Sequence, residues 1–432
     1  MPTSLQGISN RAATSKGHRF GNLYGMLNKA YLKGCFYRLK KDAAPGIDRV
    51  GVHAYRQNLD ANISTLVDHL KQKRYRARLV RRQYIPKAGG KLRPLGIPAT
   101  EDKVLQLGVA KVLEAIFEAV FLEASYGYRP KTGPQDAVRD LTRKLQFGKA
   151  NYIVEADIKG FFDNIDHDWM IRMLEERISD KPFLRLIRKW LKAGIMDTSG
   201  KVIHPVTGTP QGGIVSPVLA NVYLHYALDL WFEKVVKEQC SGAAMMIRYA
   251  DDFVCAFENR QDAELFYQKL NDRLGKFGLT VSPEKTRIIA FRKYSLKQNG
   301  VFDFLGFEFR RDISRNGKPI IKRRTSRKKL NASIAGFSEW IKTNRNKRIS
   351  AIMETLKSKY RGYWNYYGVI GNYASLKTFY YRTSRILFKW LNRRSQRLSY
   401  NWSGFEDLLK QHLIPVPRIT EKYADKQLKL FA

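Results

Sequence analysis

Apolar positions recur along the chain at two different periods, and their order predicts a mixed architecture. Residues 23–41 and 54–73 space apolar side chains as helices do, with Ala44-Pro45-Gly46-Ile47-Asp48 breaking the pattern between them. A basic run from Ala77 to Pro86, the loop Lys87-Ala88-Gly89-Gly90-Lys91 and a return over Leu92 to Pro98 predict a β-hairpin. Glu101 to Leu122 goes back to helical spacing. At the centre, Tyr152 to Ile158 predicts a short strand and 167–192 a helical stretch. Ser216-Pro217 opens a strong helix, with Ser216 expected as its cap and Pro217 in its first turn. Two apolar runs, Ala243 to Arg248 and Phe253 to Phe257, flank a tight turn, and 301–310 alternates as a strand pair or bent strand. From about residue 322 the pattern is helical, over roughly 325–343, 348–368, 373–395 and 403–412. The first twenty residues are expected to be a flexible leader. The fold class is therefore α+β, with a separate helical C-terminal part.

A length of 432 residues exceeds one ordinary core and implies two to four subdomains. Charge changes the picture most. There are 78 Lys+Arg against 39 Asp+Glu, a net charge of +39. Such an excess repels itself unless a polyanion neutralises it, which points to nucleic acid ahead of a ribosomal or membrane surface. Cys35, Cys240 and Cys255 form no Cys-x-x-Cys pair, so neither a zinc site nor a disulfide framework is expected. The N-terminus lacks the apolar stretch of a secretory signal, and the longest apolar run, Val112 to Leu122, is broken by Glu114 and Glu118. No membrane partner is expected.

A basic chain that keeps acids together needs a cation among them, because neighbouring carboxylates resist ionising side by side. Asp251-Asp252 sits between the two central apolar runs, so a hairpin would present both at its tip. Asp tolerates turn geometry, so this turn needs no glycine. Upstream, Asp157, Asp163 and Asp166 are candidates to join them, and Asp157 is favoured because it ends a buried-looking strand. Three carboxylates from two strands suit two Mg²⁺ ions, with Mn²⁺ as a substitute, for in-line phosphoryl transfer. In Gly208-Thr209-Pro210-Gln211-Gly212-Gly213 the paired glycines would let a base or sugar approach the backbone. Lys87 and Arg93 place two cations across one hairpin loop, where a triphosphate needs donors.

In this order, the Asp157 strand, the Pro210-Gln211-Gly212 run and Tyr249-Ala250-Asp251-Asp252 resemble the palm motifs of reverse transcriptases. Ala44 to Asp48 resembles the N-terminal extension of group II intron and non-LTR enzymes, and the segment Tyr360-Arg361-Gly362-Tyr363-Trp364-Asn365-Tyr366-Tyr367 resembles the thumb and maturase domain of group II intron-encoded proteins. The resemblance covers about residues 35 to 400. It implies a right-hand polymerase: an N-terminal extension and the start of the fingers over 1–85, fingers and palm over 86–310, a helical thumb and maturase domain over 311–400, and a short tail over 401–432. It implies Asp157, Asp251 and Asp252 as metal ligands with the Ile158 carbonyl, and Lys285 of Ser282-Pro283-Glu284-Lys285-Thr286 as proton donor to pyrophosphate. Lys87 and Arg93 would grip the dNTP, with Gln211, Gly212 and Ala250 lining its pocket. A ring just past Asp157 would collide with a 2′-hydroxyl. That ring is Phe162, with Phe161 as the alternative. Leu305-Gly306-Phe307 would hold the primer, though a strand bulge would read the same way. Arg323, Arg324, Arg327, Lys328 and Arg361 would bind RNA.

The implied partners are an RNA template with a DNA primer, the parent intron RNA, target DNA and dNTP. The implied location is the bacterial cytoplasm, as monomer or homodimer. The expected activity is RNA-directed DNA polymerisation with splicing support and retrohoming. The alternatives are a polymerase-inactive maturase, or a host-adopted reverse transcriptase in defence or repair. Only His412 and no cysteine lies beyond residue 400, so the Cys- and His-bearing endonuclease domain of many relatives is not expected.

Overall fold

The computed structural model describes residues 4–86, 92–209, 212–294, 298–314, 316–394 and 399–421. The expected leader is a docked helix, α1 (Leu5–Thr14): Ser4 caps it by accepting from the Gly7 N–H at 3.0 Å, and Ile8 and Ala12 are buried. Then come α2 (Lys29–Tyr37), α3 (Val52–Gln57) and α4 (Leu59–Lys71), the last two separated at Asn58 where one helix was expected. β1 (Val80–Pro86) and β2 (Leu92–Ile97) form the expected hairpin. α5 (Thr100–Phe117) is buried on nearly every side, so it runs through the core. α6 (Pro134–Phe147) was not expected. Pro134 fills its first turn and Asp136 reaches back to the Gly133 N–H at 2.8 Å.

β3 (Tyr152–Asp157) is followed by α7 (His167–Glu175) and α8 (Lys181–Leu191). These replace one expected helix because Asp180 caps the second, accepting from the Phe183 N–H at 3.0 Å. The short β4 (Ile195–Met196) and β5 (Val202–Ile203) extend the first hairpin into a sheet of order β2-β1-β4-β5. α9 (Ser216–Leu224) continues through two π turns, His225–Asp229 and Phe232–Val236, to α10 (Lys237–Gln239). Ser216 does not cap it. Val215 holds that position, and the Ser216 hydroxyl lies 2.8 Å from that of Thr209. β6 (Ala244–Tyr249), β7 (Asp252–Phe257), α11 (Arg260–Gly275) and β8 (Arg287–Ala290) complete the centre.

With β3 these strands make an antiparallel sheet of order β6-β7-β3-β8. One face, including Val154, Ala156, Phe253 and Cys255, packs on the helices. The other, with Ile153, Val254 and Ala256, packs on α6 and on a second antiparallel sheet of β9 (Phe302–Phe304), β10 (Phe307–Ile313) and β11 (Pro319–Thr325). Burial on both faces explains why the central strands read as unbroken apolar runs.

Helices α12 (Arg327–Asn344), α13 (Ile349–Tyr367), α14 (Tyr373–Leu391) and α15 (Trp402–Gln411) share a third core that includes Ile341, Leu356, Trp364, Leu387 and Phe405. Two expectations shift here. Residues 311–325 belong largely to strands rather than to the helical part, and α15 is packed into that part rather than forming a tail. No described helix is long and apolar enough to cross a membrane.

Candidate active site

The register of β3 and β7 sets Asp157 directly opposite Asp252. Residues so paired hold their Cβ atoms about 4.5–5.5 Å apart on one face of a sheet. Of the other upstream acids, Asp166 is spent capping α7, accepting from the Trp169 N–H at 2.8 Å, and Asp163 lies in the turn Phe161–Asp163. Asp251 is in the two-residue turn between β6 and β7, since Tyr249 pairs with Asp252. The strained residue of that turn is Ala250, at φ 57°, rather than an aspartate. A left-handed non-glycine residue costs roughly 1–2 kcal/mol. Gly127 makes room for the turn, because a side chain there would strike the Ala250 backbone.

Water reaches Asp252, yet protein crowds it from most sides. That crowding, then the charge of Asp251, pushes its carboxyl up to about 7, with Asp157 adding to the effect. The Leu305 N–H opposes the shift by stabilising the carboxylate. Asp157 is bound by the Lys285 ammonium at 2.7 Å, and that bond raises the lysine above its usual range. Among the described residues no three acid, His or Cys side chains converge tightly enough to form a metal cage. The donor chemistry nonetheless fits a hard divalent cation: oxygen ligands, mutual repulsion for a cation to relieve, and a side-chain cation already on one of them.

Ile158 is buried and bridges to Val281, with the Ser282 N–H donating to the Asp157 carbonyl at 2.8 Å. That bond ties the Lys285 segment to the end of β3. Phe161 is buried against Tyr223, ring centres 6.4 Å apart, whereas Phe162 is half-buried. Phe162 is thus the more accessible of the two rings. The Thr209 N–H donates to the Phe162 carbonyl at 2.8 Å, placing the glycine-rich segment beside it. Gly212, at φ 116°, abuts β2: a Cβ there would lie 2.6 Å from the Gly96 carbonyl oxygen. Lys87 and Gln211 lie outside the described residues. Arg93 is exposed on β2. Burial and the Asp251 charge push the Tyr128 phenol up while Arg93 opposes them, so Tyr128 stands near both charges.

What secures the acidic turn is not legible in any local stretch of sequence. Arg248 is fully buried and grips Asp229 through two hydrogen bonds of 2.7 and 2.5 Å. It also donates to the Ala250 carbonyl at 2.9 Å and to Asn221 Oδ1 at 3.1 Å, and Asn221 in turn holds the Gly127 carbonyl at 2.6 Å. The available signal was a lone arginine inside an apolar strand, where a charge persists only with a buried partner.

Leu305 and Gly306, at φ 50° and 78°, form a tight turn rather than a bulge, with Phe304 opposite Phe307. Of the cations expected on RNA, Arg323 is a correction. It is buried in β11 and bound to Glu421 at 2.5 Å, where desolvation and that partner hold it away from any ligand. Arg324 is exposed but pairs with Glu308 at 2.8 Å. Arg327, Lys328 and Arg361 are exposed on α12 and α13. Most aromatic rings of α13 pack inward, Tyr363 stacking on Phe379 at 3.7 Å.

The family described as reverse transcriptase (RNA-dependent DNA polymerase) matches residues 85–309, just over half of the chain. Group II intron-encoded protein LtrA of Lactococcus lactis subsp. cremoris is 30% identical over 81% of this chain and 70% of its own length. Protein YkfC of Escherichia coli is 33% identical over 63% of this chain and 78% of its own. An uncharacterized 91 kDa protein in the cob intron of Schizosaccharomyces pombe is 33% identical over 52% of this chain and 34% of its own. With the acids aligned on paired strands and these matches running through them, the chain belongs to the group II intron-encoded reverse transcriptases and is an RNA-directed DNA polymerase.

Proposed function

We propose that the chain adds dNTPs to a primer 3′-hydroxyl along an RNA template, within a right hand whose palm is the central sheet. The hairpin of β1 and β2 with its helices would be the fingers, and α12 to α15 the thumb and maturase domain. The observation that carries the reading is the pairing of Asp157 with Asp252 beside Asp251. Two Mg²⁺ ions held by Asp157, Asp251, Asp252 and the Ile158 carbonyl would supply charge stabilisation for in-line phosphoryl transfer. Around them, Arg93 and Lys87 bind the triphosphate, and Gln211, Gly212 and Ala250 line the base and sugar. Lys285, whose proton is held more tightly by Asp157, is the donor to the departing pyrophosphate. Leu305, Gly306 and Phe307 hold the primer. Arg324, Arg327, Lys328 and Arg361 meet RNA, and a relative named as group II intron-encoded supports the intron itself as that RNA, with splicing support and retrohoming into target DNA.

Primer extension on an RNA template should yield DNA only when Mg²⁺ or Mn²⁺ is present. RNA binding with no extension under any metal would leave only an RNA-binding maturase. Phe162 should act as the gate against ribonucleotides. Phe162→Ala is expected to raise rNTP incorporation relative to dNTP by roughly ten- to a hundredfold. Phe161→Ala should instead lower stability by about 3 kcal/mol with selectivity unchanged. Competition assays with both nucleotides, and thermal unfolding, separate the two rings.

A further inference from the structure

The described part of the glycine-rich segment, 208–209 and 212–215, is neither helix nor strand, so its place depends on what holds it. Its near end is tied by backbone: the Gly208 N–H donates to the Ile165 carbonyl at 2.7 Å and the Thr209 N–H to the Phe162 carbonyl at 2.8 Å. Past Gly212 the hold comes from a side chain. Gln106 of α5 is 4% exposed, and its Oε1 accepts from the Ile214 N–H at 2.9 Å. A side-chain amide this deep in a core helix is kept only where it is bonded. The same helix mounts the opposite wall. It follows β2 after Pro98 and Ala99, and one turn before Gln106 its Asp102 accepts from the Arg78 N–H at 3.1 Å and from the Tyr75 hydroxyl at 2.5 Å, just ahead of β1. One face of α5 thus holds the base of the β1–β2 hairpin with Asp102 and the glycine-rich segment with Gln106. Gly212 meets that hairpin directly, against Gly96.

We infer that Gln106 is a positioning residue for the incoming nucleotide: through Ile214 it sets the distance between the segment carrying Gly212 and the strand carrying Arg93. This rests on those two lining the dNTP site, as proposed above. A ligand gripped at its triphosphate by one element and at its base and sugar by another binds well only when the two stand at the right spacing. Gln106 is buried too deeply to touch the nucleotide itself, so it acts through the backbone. Without its oxygen the Ile214 N–H must find water, which draws the half-buried segment outward and the exposed Gly212 with it.

Gln106→Met tests this, because it keeps the length and bulk of the side chain and removes the acceptor. In primer extension on an RNA template, KM for dNTP should rise about tenfold, the effect of one lost hydrogen bond, with kcat within about twofold of the parent's. Primer–template affinity should hold. Gln106→Asn withdraws the same oxygen by one methylene and should show the same rise, so the inference stays testable if the Met variant fails to fold. The control is Gln146→Met. Gln146 of α6 is also buried and ties β11 to its helix, accepting from the Ile321 N–H at 2.8 Å and donating to the Pro319 carbonyl at 2.9 Å. Both Met variants should unfold at a lower temperature than the parent, and only the Gln106 one should raise KM. Arg93→Ala is run in parallel. If it keeps the parent's KM, the nucleotide-site reading fails and this inference falls with it. If Arg93→Ala raises KM while folded Gln106 variants keep the parent's, the site stands and the positioning role is wrong. A KM rise shared by Gln146→Met, or a loss of kcat or primer–template affinity at unchanged KM, would also overturn it.

Discussion

Primer extension by Asp252→Asn protein should fall by about three orders of magnitude, while its RNA affinity and unfolding temperature hold or improve. The substitution keeps the shape of the side chain. What disappears is one negative charge opposite Asp157. A ligand that stabilises charge in phosphoryl transfer is worth several kcal/mol, and each 1.4 kcal/mol is tenfold in rate. The fold loses nothing, because it already disfavours this charge: burial and Asp251 hold the carboxyl near 7. RNA binding rests on the net charge of +39, to which one acid is marginal. Single-turnover extension, filter binding at fixed salt and thermal unfolding provide the three readings. Extension at the parent's rate would remove the paired acids from the chemistry.

Replacing Arg248 should do the opposite and damage fold and activity together. Arg248→Met strands Asp229, which is 1% exposed, as a buried charge without its counter-ion. Breaking such a pair from one side typically costs about 3–5 kcal/mol. The double variant R248M/D229L removes both charges and should recover most of that loss, since buried pairs replaced by apolar groups are often neutral. Extension should stay low in the double variant. The Ala250 carbonyl still lacks its 2.9 Å donor, and the left-handed turn carrying Asp251 is no longer held. Urea unfolding and extension kinetics on both proteins separate the stabilising role from the positioning one. Full recovery of both by R248M/D229L would reduce Arg248 to a structural residue.

Much of the centre was legible because local pattern and long-range pairing agree there. Tyr152 to Asp157 and the two runs flanking Ala250-Asp251 read as strands, and they are β3, β6 and β7. The acids were legible for a chemical reason: carboxylates do not gather in so basic a chain without a task. α6 was overlooked although Gly133-Pro134 and buried Ala137, Val138, Leu141 and Leu145 carried a helix signal. α1 hid because Ile8 and Ala12 are the whole of its buried face. Arg323 misled for a deeper reason. Among Lys322 and Arg324 it looks like one more surface cation, and only Glu421, 98 residues away, turns it inward. The hold of Arg248 on Ala250, and of Gln106 on Ile214, likewise depends on contacts that no local window contains.

The Lys285 ammonium rests on Asp157 at 2.7 Å, so one of the paired acids already has a counter-charge from the chain. Because the Ser282 N–H donates to the Asp157 carbonyl, the segment that carries the Lys285 ammonium is anchored at the end of β3, beside the acid it pairs with. The pair lowers the charge at the end of β3, opposite Asp252, with a group of the chain itself. Under the function proposed above, a divalent cation taken up by Asp157 would compete with Lys285 for the same oxygens, so metal affinity would carry the cost of parting that pair.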